Sequence, residues 1–187
     1  MNLPNRLTLA RLVLSGIFVL CFSIDFPLRF TSAFLLFVIA AMTDWLDGVI
    51  ARRHNLVTDF GKLMDPLADK ILTAAAFISL SALHAIPPWA VVLIISREFL
   101  ITGLRSLAAS KGVVLPAERL GKHKTSWQIA TILYFLLLLA IREHTDPAWL
   151  PDAWAGGQIL LVPVTVILSV YSGIAYLVKN HSLLDTR

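Results

Sequence analysis

Charged residues are scarce in this chain, and cysteine is almost absent. Asp, Glu, Lys and Arg together make up 15% of the 187 residues, and the single cysteine, Cys21, lies in an apolar run. One cysteine excludes a disulfide within the chain, and we interpret Cys21 as a small buried hydrophobe. Hydrophobic residues make up 57% of the sequence. A water-soluble domain of this size could not bury so much apolar surface, so the composition predicts an integral membrane protein.

Long apolar runs divide the chain into six candidate membrane-spanning helices, each close to the roughly 20 residues that a span needs. They cover residues 7–24, 31–51, 66–85, 88–109, 125–141 and 156–178. We therefore predict an all-α, polytopic membrane protein in which residues 1–187 form a single domain. No small-residue cleavage site follows the first run, so we do not expect a cleaved signal peptide.

The distribution of Lys and Arg predicts the orientation, because cytoplasmic segments of membrane proteins carry the excess of these residues. With both termini in the cytoplasm, the outer loops hold only Arg29 and Arg142. The cytoplasmic segments then hold Arg6, Arg11, Arg52, Arg53, Lys62, Lys111, Arg119, Lys122, Lys124, Lys179 and Arg187. The net charge of +4 has the same origin. Nucleic-acid binding is not expected, since no basic run stands clear of the apolar segments.

Four aspartates stand at helical spacing beside two of the apolar runs. Asp44 and Asp47 lie near the cytoplasmic end of the second predicted helix, and Asp65 and Asp69 lie near the cytoplasmic start of the third. At about 100° per residue, the first pair is about 60° apart and the second about 40° apart around its helix axis. The short link predicts that the two helices are antiparallel neighbours, which would bring the four carboxylates together.

A cluster of four carboxylates has to be neutralised. Protonation could remove part of the charge, but hard cations such as Mg²⁺ or Mn²⁺ suit carboxylate oxygens better. Four carboxylates are enough for two such ions about 3.5–4 Å apart, the spacing used in phosphoryl chemistry. Gly48 and Ala51 leave room beside this predicted metal site, and Arg52 can reach a phosphate held there.

A second group of charges is cationic. Arg97 and Arg105 lie on the fourth predicted helix, about 80° apart around its axis, and Lys122 and Lys124 lie at the cytoplasmic start of the fifth. Because an ionised side chain deep in a span costs about 2.5–3.5 kcal/mol, the group predicts a pocket for a second phosphorylated ligand. The alternatives are interfacial anchoring by the two lysines and an ion pair between Arg97 and Glu98.

The acidic stretch resembles the signature of the CDP-alcohol phosphotransferase family. The pattern is Asp44-x2-Asp47-Gly48-x2-Ala51-Arg52-x8-Gly61-x3-Asp65-x3-Asp69, and all eight fixed positions are filled. The family's membrane fold also has six spans, with the motif across the second and third. The resemblance implies that Asp44, Asp47 and Asp65 are metal ligands and that Asp69 is both a metal ligand and the general base. The residues that it implies for CDP-diacylglycerol are Asn5, Thr8, Asp44, Gly48, Ala51, Arg52 and Thr58.

Residues 97–128 further resemble the bacterial phosphatidylglycerophosphate synthases within that family. The match rests on Arg97, Glu98, Thr102, Leu104, Arg105, Gly121, Lys122, Lys124, Thr125 and Gln128, whereas His123 stands where an aliphatic residue is common. This resemblance implies a homodimeric enzyme of phospholipid biosynthesis in a bacterial cytoplasmic membrane, with its active site on the cytoplasmic side. Its reaction would transfer the phosphatidyl group of CDP-diacylglycerol to the C1 hydroxyl of glycerol 3-phosphate by direct displacement on two metal ions. Glycerol 3-phosphate would be held by Arg97, Arg105, Lys122 and Lys124.

The sequence also leaves other functions open. Relatives in the same family use phosphatidylglycerol, inositol phosphate or serine as the acceptor, although serine carries no phosphate for a cationic pocket. A divalent-cation or proton-coupled transporter would place its ligands near the midplane and show internal repeats. The aspartates lie toward one face and no repeat is visible, which disfavours a transporter. A structural or assembly protein would leave the carboxylates without a role.

Overall fold

The computed structural model describes the backbone of residues 3–54, 59–110, 112–113 and 119–180, and the side chains of residues 9–43, 70–110, 112–113, 121 and 123–180. All regular structure in these ranges is helical, which confirms the predicted all-α class. The helices are α1 (Leu3–Ser23), α2 (Arg29–His54), α3 (Asp59–Ala82), α4 (Pro88–Ser110), α5 (Arg119–His144), α6 (Leu150–Gly156) and α7 (Val162–Lys179). A π-helical turn, Gly157–Leu161, joins α6 to α7 without a break.

Two helical segments in the described ranges are long and apolar enough to cross a membrane, namely His123–His144 and Leu150–Lys179. They indicate a membrane protein, and each of the six predicted spans overlaps a helix of the structure. Six crossings of a membrane stay a prediction.

The hydrophobic core lies between α1, α2, α3 and α5. Each of these helices contributes one phenylalanine that is at most 1% exposed, namely Phe18, Phe37, Phe77 and Phe135. Cys21 joins the same core, which confirms that it is a buried hydrophobe. Helix α1 packs against both α2 and α3, and α5 packs against α2, α3 and α7. Helices α2 and α3 are thus held by the same two neighbours; their direct pairing at the aspartates stays a prediction.

The outside of the bundle is apolar, whereas hydroxyl groups lie inside it. Val92, Ile167 and Val178 are each more than 60% exposed. Inside, the hydroxyls of Thr131 on α5 and Thr165 on α7 form a hydrogen bond of 2.7 Å, and both residues are at most 1% exposed. A soluble protein rarely shows so much contiguous exposed apolar surface, and a lipid-facing exterior accounts for it.

Two helices end in the same left-handed cap. After α3, the amide of Ala85 donates to the Leu80 carbonyl and the amide of His84 donates to the Ser81 carbonyl, both at 3.0 Å. His84 takes a φ of 56°, the left-handed conformation that this cap requires. Gly112 closes α4 in the same way with a φ of 73°. The first cap makes the sharp reversal between α3 and α4, and the second ends α4.

The π-helical turn packs at the end of the bundle where α3 reverses into α4. Gln158 donates from its side-chain amide to the carbonyls of His84, at 2.7 Å, and Ala85, at 3.2 Å. Gly157 packs directly on α5, since a Cβ atom there would lie 2.5 Å from the ring of Tyr134. The close approach explains why glycine occupies this position.

Glu143, near the end of α5, caps the start of α2. One carboxylate oxygen accepts a hydrogen bond from the amide of Phe30 at 3.1 Å, and the other accepts from the amide of Thr31 at 2.9 Å and from its hydroxyl at 2.8 Å. The amides of a first helical turn have no partner within their own helix. Partial burial raises the pKa of Glu143, but these hydrogen bonds and the charge of His144 outweigh it, and the net pKa is lowered.

We expect Glu143→Ala to destabilise the protein by about 1–2 kcal/mol, since charge-assisted hydrogen bonds are lost at a partly solvated site. Because the folded-state pKa is lowered, the stabilisation is complete above the unfolded-state pKa of about 4.3. It is lost as the pH falls through the folded-state value. Thermal melts in detergent at pH 7 and pH 3 measure the effect, with the exposed Asp146→Asn as the control. A difference between wild type and variant that is equal at both pH values would contradict the assignment.

Candidate functional site

The predicted metal ligands lie on helical backbone at the two helix ends that the link of residues 55–58 joins. Asp44 and Asp47 are in α2, and Asp65 and Asp69 are in α3, so each pair has the expected helical spacing. The side chains of residues 44–69 fall outside the described part, as do those of Asn5, Thr8 and Lys122. The predicted roles of Asp44, Asp47, Gly48, Ala51, Arg52, Thr58, Asp65 and Asp69 therefore stay predictions. Among the side chains that are described, no group of three or more His, Cys, Asp or Glu could hold a metal ion.

Glu98, on α4, is the centre of a polar network that joins three helices. Its Oε2 atom lies 3.2 Å from the ammonium of Lys70 on α3. Its Oε1 atom accepts from the ammonium of Lys124 and, at 3.3 Å, from the side-chain amide of Gln128, both on α5. Arg97 completes the group, with Nη1 3.5 Å from Oε1. One carboxylate thus faces three cations, which ties α3 and α5 to α4.

Lys70 also attaches to α4 the turn of α3 that carries Asp69. Its ammonium donates to the hydroxyl of Thr102 and lies 3.5 Å from the Glu98 carbonyl oxygen. The Thr102 hydroxyl in turn donates to that carbonyl at 2.8 Å. Since Lys70 directly follows the predicted general base, the network sets where this turn of α3 lies against α4.

Lys124 does not have the environment of an interfacial anchor. Its side chain is only 4% exposed and is paired with Glu98, so the alternative of simple anchoring is wrong for this residue. The alternative of an ion pair between Arg97 and Glu98 is partly right, because the two side chains lie 3.5 Å apart. Arg97 nevertheless makes its hydrogen bond to α7, through Nη2 to the hydroxyl of Ser172 at 3.1 Å.

Arg105 lies about two helical turns from Arg97 along α4. Its Nε atom donates to the hydroxyl of Tyr176 at 3.1 Å, and its guanidinium carbon lies 5.2 Å from the centre of that ring. The structure therefore brings Arg97 and Lys124 to the Glu98 carboxylate, whereas Arg105 packs against Tyr176 of α7.

Sequence reasoning gave no role to Lys70, Ser172 and Tyr176. The signal for Lys70 was present, since a lysine inside an apolar run needs a partner. Ser172 and Tyr176 carry no such signal, because small polar and aromatic residues are common in membrane helices.

Comparison with known proteins identifies the family. The family model described as CDP-alcohol phosphatidyltransferase matches residues 1–171. The chain belongs to the CDP-alcohol phosphatidyltransferase family. This confirms the family that the aspartate pattern indicates, and the matched region includes all four aspartates and the four cations of the predicted acceptor pocket. Members of this family act on phospholipid precursors and depend on divalent metal ions.

Individual members of the family are similar over most or all of this chain. The CDP-diacylglycerol–glycerol-3-phosphate 3-phosphatidyltransferase of Bacillus subtilis (strain 168) is 42% identical over 197 aligned residues, covering 99% of this chain and 98% of the relative. A protein of the same name from Rickettsia bellii (strain RML369-C) is 43% identical over 73% of this chain and 75% of its own. A cardiolipin synthase (CMP-forming) from Oryza sativa subsp. japonica is 35% identical over 98% of this chain and 59% of its own. The predicted resemblance to the bacterial synthases is confirmed.

Proposed function

We propose that this chain transfers the phosphatidyl group of CDP-diacylglycerol to the C1 hydroxyl of glycerol 3-phosphate, giving phosphatidylglycerol phosphate and CMP. The observation that carries the proposal is the end-to-end similarity to a relative named for this reaction. The complete eight-position signature and the cations of α4 and α5 support it, because the reaction needs a site for a diphosphate and another for a phosphate.

The four aspartates would hold two Mg²⁺ or Mn²⁺ ions. Their donor chemistry fits, since carboxylate oxygens are the ligands that these ions prefer and none of the four positions is His or Cys. When bound, such ions neutralise the diphosphate and the charge that develops on the attacking and leaving oxygens. The CDP part of the lipid would contact Asn5, Thr8, Asp44, Gly48, Ala51, Arg52 and Thr58.

The chain's own residues position the acceptor and move one proton. Arg97, Arg105, Lys122 and Lys124 bind the phosphate of glycerol 3-phosphate, and the Glu98 carboxylate lies beside Lys124. Asp69 accepts the proton of the C1 hydroxyl. The bond from that oxygen to the lipid-side phosphorus forms while the bond from the phosphorus to CMP breaks, so no covalent enzyme intermediate arises.

We place the chain in a bacterial cytoplasmic membrane, which it crosses six times. Both termini and the active site lie on the cytoplasmic side, as the sequence predicts. The excess of Lys and Arg in the predicted cytoplasmic segments supports this orientation. A homodimer is also part of the proposal. Gly157 packs on Tyr134 and Gly173 packs on Arg97, so these two glycines make contacts within one chain rather than between two chains.

The second candidate acceptor is phosphatidylglycerol, because the relative from rice carries the name of a cardiolipin synthase. The structure favours glycerol 3-phosphate. Arg97 and Arg105 offer a compact anion two charged groups, and glycerol 3-phosphate is the smaller and more highly charged of the two acceptors.

Acceptor dependence of CMP release tests the proposal. With purified protein in detergent, CDP-diacylglycerol and Mg²⁺, we expect CMP release to require glycerol 3-phosphate. Release with phosphatidylglycerol, inositol phosphate or serine should be at least about tenfold slower, since these acceptors mismatch a pocket built for a small phosphate monoester. Equal release with phosphatidylglycerol would transfer the assignment to cardiolipin synthesis. Absence of CMP release with every acceptor would overturn the enzyme assignment and favour a transporter.

A further inference from the structure

Helix α7 holds the two arginines of α4 with groups that carry no charge. Arg97 donates to the hydroxyl of Ser172, and Arg105 donates to the hydroxyl of Tyr176, each at 3.1 Å. Both helices run in the same direction here, because the later arginine meets the later residue of α7. The contacts lie beyond residue 171, where the match to the family model ends.

Ser172 is prepared to accept a hydrogen bond. Its own hydroxyl proton is directed to the carbonyl oxygen of Ser169 at 3.0 Å, so a lone pair remains for Arg97. Ser172 is 2% exposed, and water does not compete for that lone pair. The geometry fixes Nη2 of the Arg97 guanidinium through an uncharged partner, while its Nη1 lies 3.5 Å from the Glu98 carboxylate.

Gly173 makes room for the stem of Arg97. A Cβ atom at this position would lie 2.7 Å from Cγ of Arg97 and 3.3 Å from its Nε. Cγ is close to the backbone and cannot move far without a change of rotamer. Any side chain at position 173 would therefore turn Arg97 away from α7.

Tyr176 supports Arg105 from two directions. Its hydroxyl accepts from Nε, and its ring lies under the guanidinium at 5.2 Å. Tyr176 is 3% exposed and packs with Ile101 and Leu104 of α4, so the ring has little freedom to move.

The two kinds of cation in this region are thus partnered differently. Lys70 and Lys124 both lie on the Glu98 carboxylate, which compensates charge inside the bundle. The hydrogen bonds of Arg97 and Arg105 go to neutral hydroxyls, which orient each guanidinium toward an anion. Arg97 also lies 3.5 Å from the Glu98 carboxylate, which it shares with the two lysines.

We infer that Ser172, Gly173 and Tyr176 are positioning residues that hold Arg97 and Arg105 in the geometry that binds the phosphate of the acceptor. The inference rests on the proposed function, in which these arginines bind glycerol 3-phosphate. It assigns the end of α7 a part in acceptor selection, although none of its three residues has to touch the substrate.

Steady-state kinetics of four variants test the inference. Tyr176→Phe keeps the ring and removes the hydroxyl that accepts the hydrogen bond of Arg105. We therefore expect KM for glycerol 3-phosphate to rise about 3- to 10-fold, the usual effect of one hydrogen bond. Ser172→Ala should act similarly, and Gly173→Ala should raise the same KM by more than about 10-fold, because it displaces Arg97. KM for CDP-diacylglycerol should not change. Gly156→Ala is the matched control, since a Cβ atom there meets nothing within 4 Å.

A double variant separates positioning from general damage to the fold. In the Arg97→Ala background the clash at position 173 is gone, so adding Gly173→Ala should not raise KM for glycerol 3-phosphate further. Melting temperatures of all variants check that they fold. If KM for both substrates rises equally, or if the Gly173→Ala effect persists in the Arg97→Ala background, the inference is wrong. Failure of the proposed function would instead appear as a wild-type protein that releases no CMP with glycerol 3-phosphate.

Discussion

Replacing Asp69 with Asn is expected to slow CMP release by about 100- to 10,000-fold, the range that general-base catalysis contributes. Asparagine has nearly the same shape but cannot accept the proton of the attacking hydroxyl. It also removes one negative charge from the predicted ligands of the metal ions. The measurement is kcat at saturating CDP-diacylglycerol and glycerol 3-phosphate, with Asp152→Asn, an exposed carboxylate at the start of α6, as the control.

A metal titration separates the two consequences of this substitution. If Asp69 only binds the metal, a large excess of Mg²⁺ or Mn²⁺ should restore kcat in the variant. We expect occupancy by the metal to be restored in this way while kcat stays low. Near-normal turnover at high metal concentration would remove Asp69 from the role of general base and leave it as a ligand.

Replacing Glu98 with Ala is expected to have the largest effect on stability. The substitution removes the carboxylate shared by Lys70 and Lys124, whose side chains are 20% and 4% exposed. Removal of one partner from a buried ion pair typically costs about 3–5 kcal/mol. Glu98→Gln keeps the size of the side chain and one hydrogen-bond acceptor, so it should destabilise the protein less than Glu98→Ala. Unfolding in detergent, followed by the loss of helical circular dichroism or by thermal melts, measures the difference.

A compensating variant tests whether charge is the reason. Lys124→Met in the Glu98→Gln background removes the buried ammonium that the first substitution leaves on α5. We expect the double variant to be more stable than Glu98→Gln alone, a coupling that only neighbouring groups show. Additive destabilisation by the two substitutions would mean that the Lys124–Glu98 pair contributes little, and that the network does not tie α5 to α4.

Helix locations were predictable from the sequence, because each span is a run of apolar residues with polar ends. The partners of the charged residues were not. Glu98 was recognisable as a charge in a span, but its main partners are 28 residues before it and 26 residues after it, on other helices. Hydrophobic periodicity says which residues avoid water in a soluble protein; it does not say which helices are neighbours in a bundle that is apolar on the outside.

The ends of helices show the same limit. The fifth predicted span stops at residue 141, whereas α5 continues to His144 and Glu143 caps α2 across 112 residues of sequence. Local sequence gives no reason for that contact. The π-helical turn at Gly157–Leu161 was equally hidden, because the residue on which Gly157 packs, Tyr134, lies on another helix. The predicted aspartate site, by contrast, has a signal in the sequence because both of its pairs are local; the meeting of the two pairs stays a prediction.

The support of the α4 arginines by α7 has a consequence for biosynthesis. The ribosome completes α4 more than 60 residues before it reaches Ser172, so a nascent chain already inserted in the lipid would carry both guanidinium groups without their hydroxyl partners. Under the proposed function, translation of the final helix is then the step at which the arginines become positioned to bind the water-soluble acceptor. An unfinished polypeptide in the bilayer would therefore bind glycerol 3-phosphate more weakly than the complete protein does.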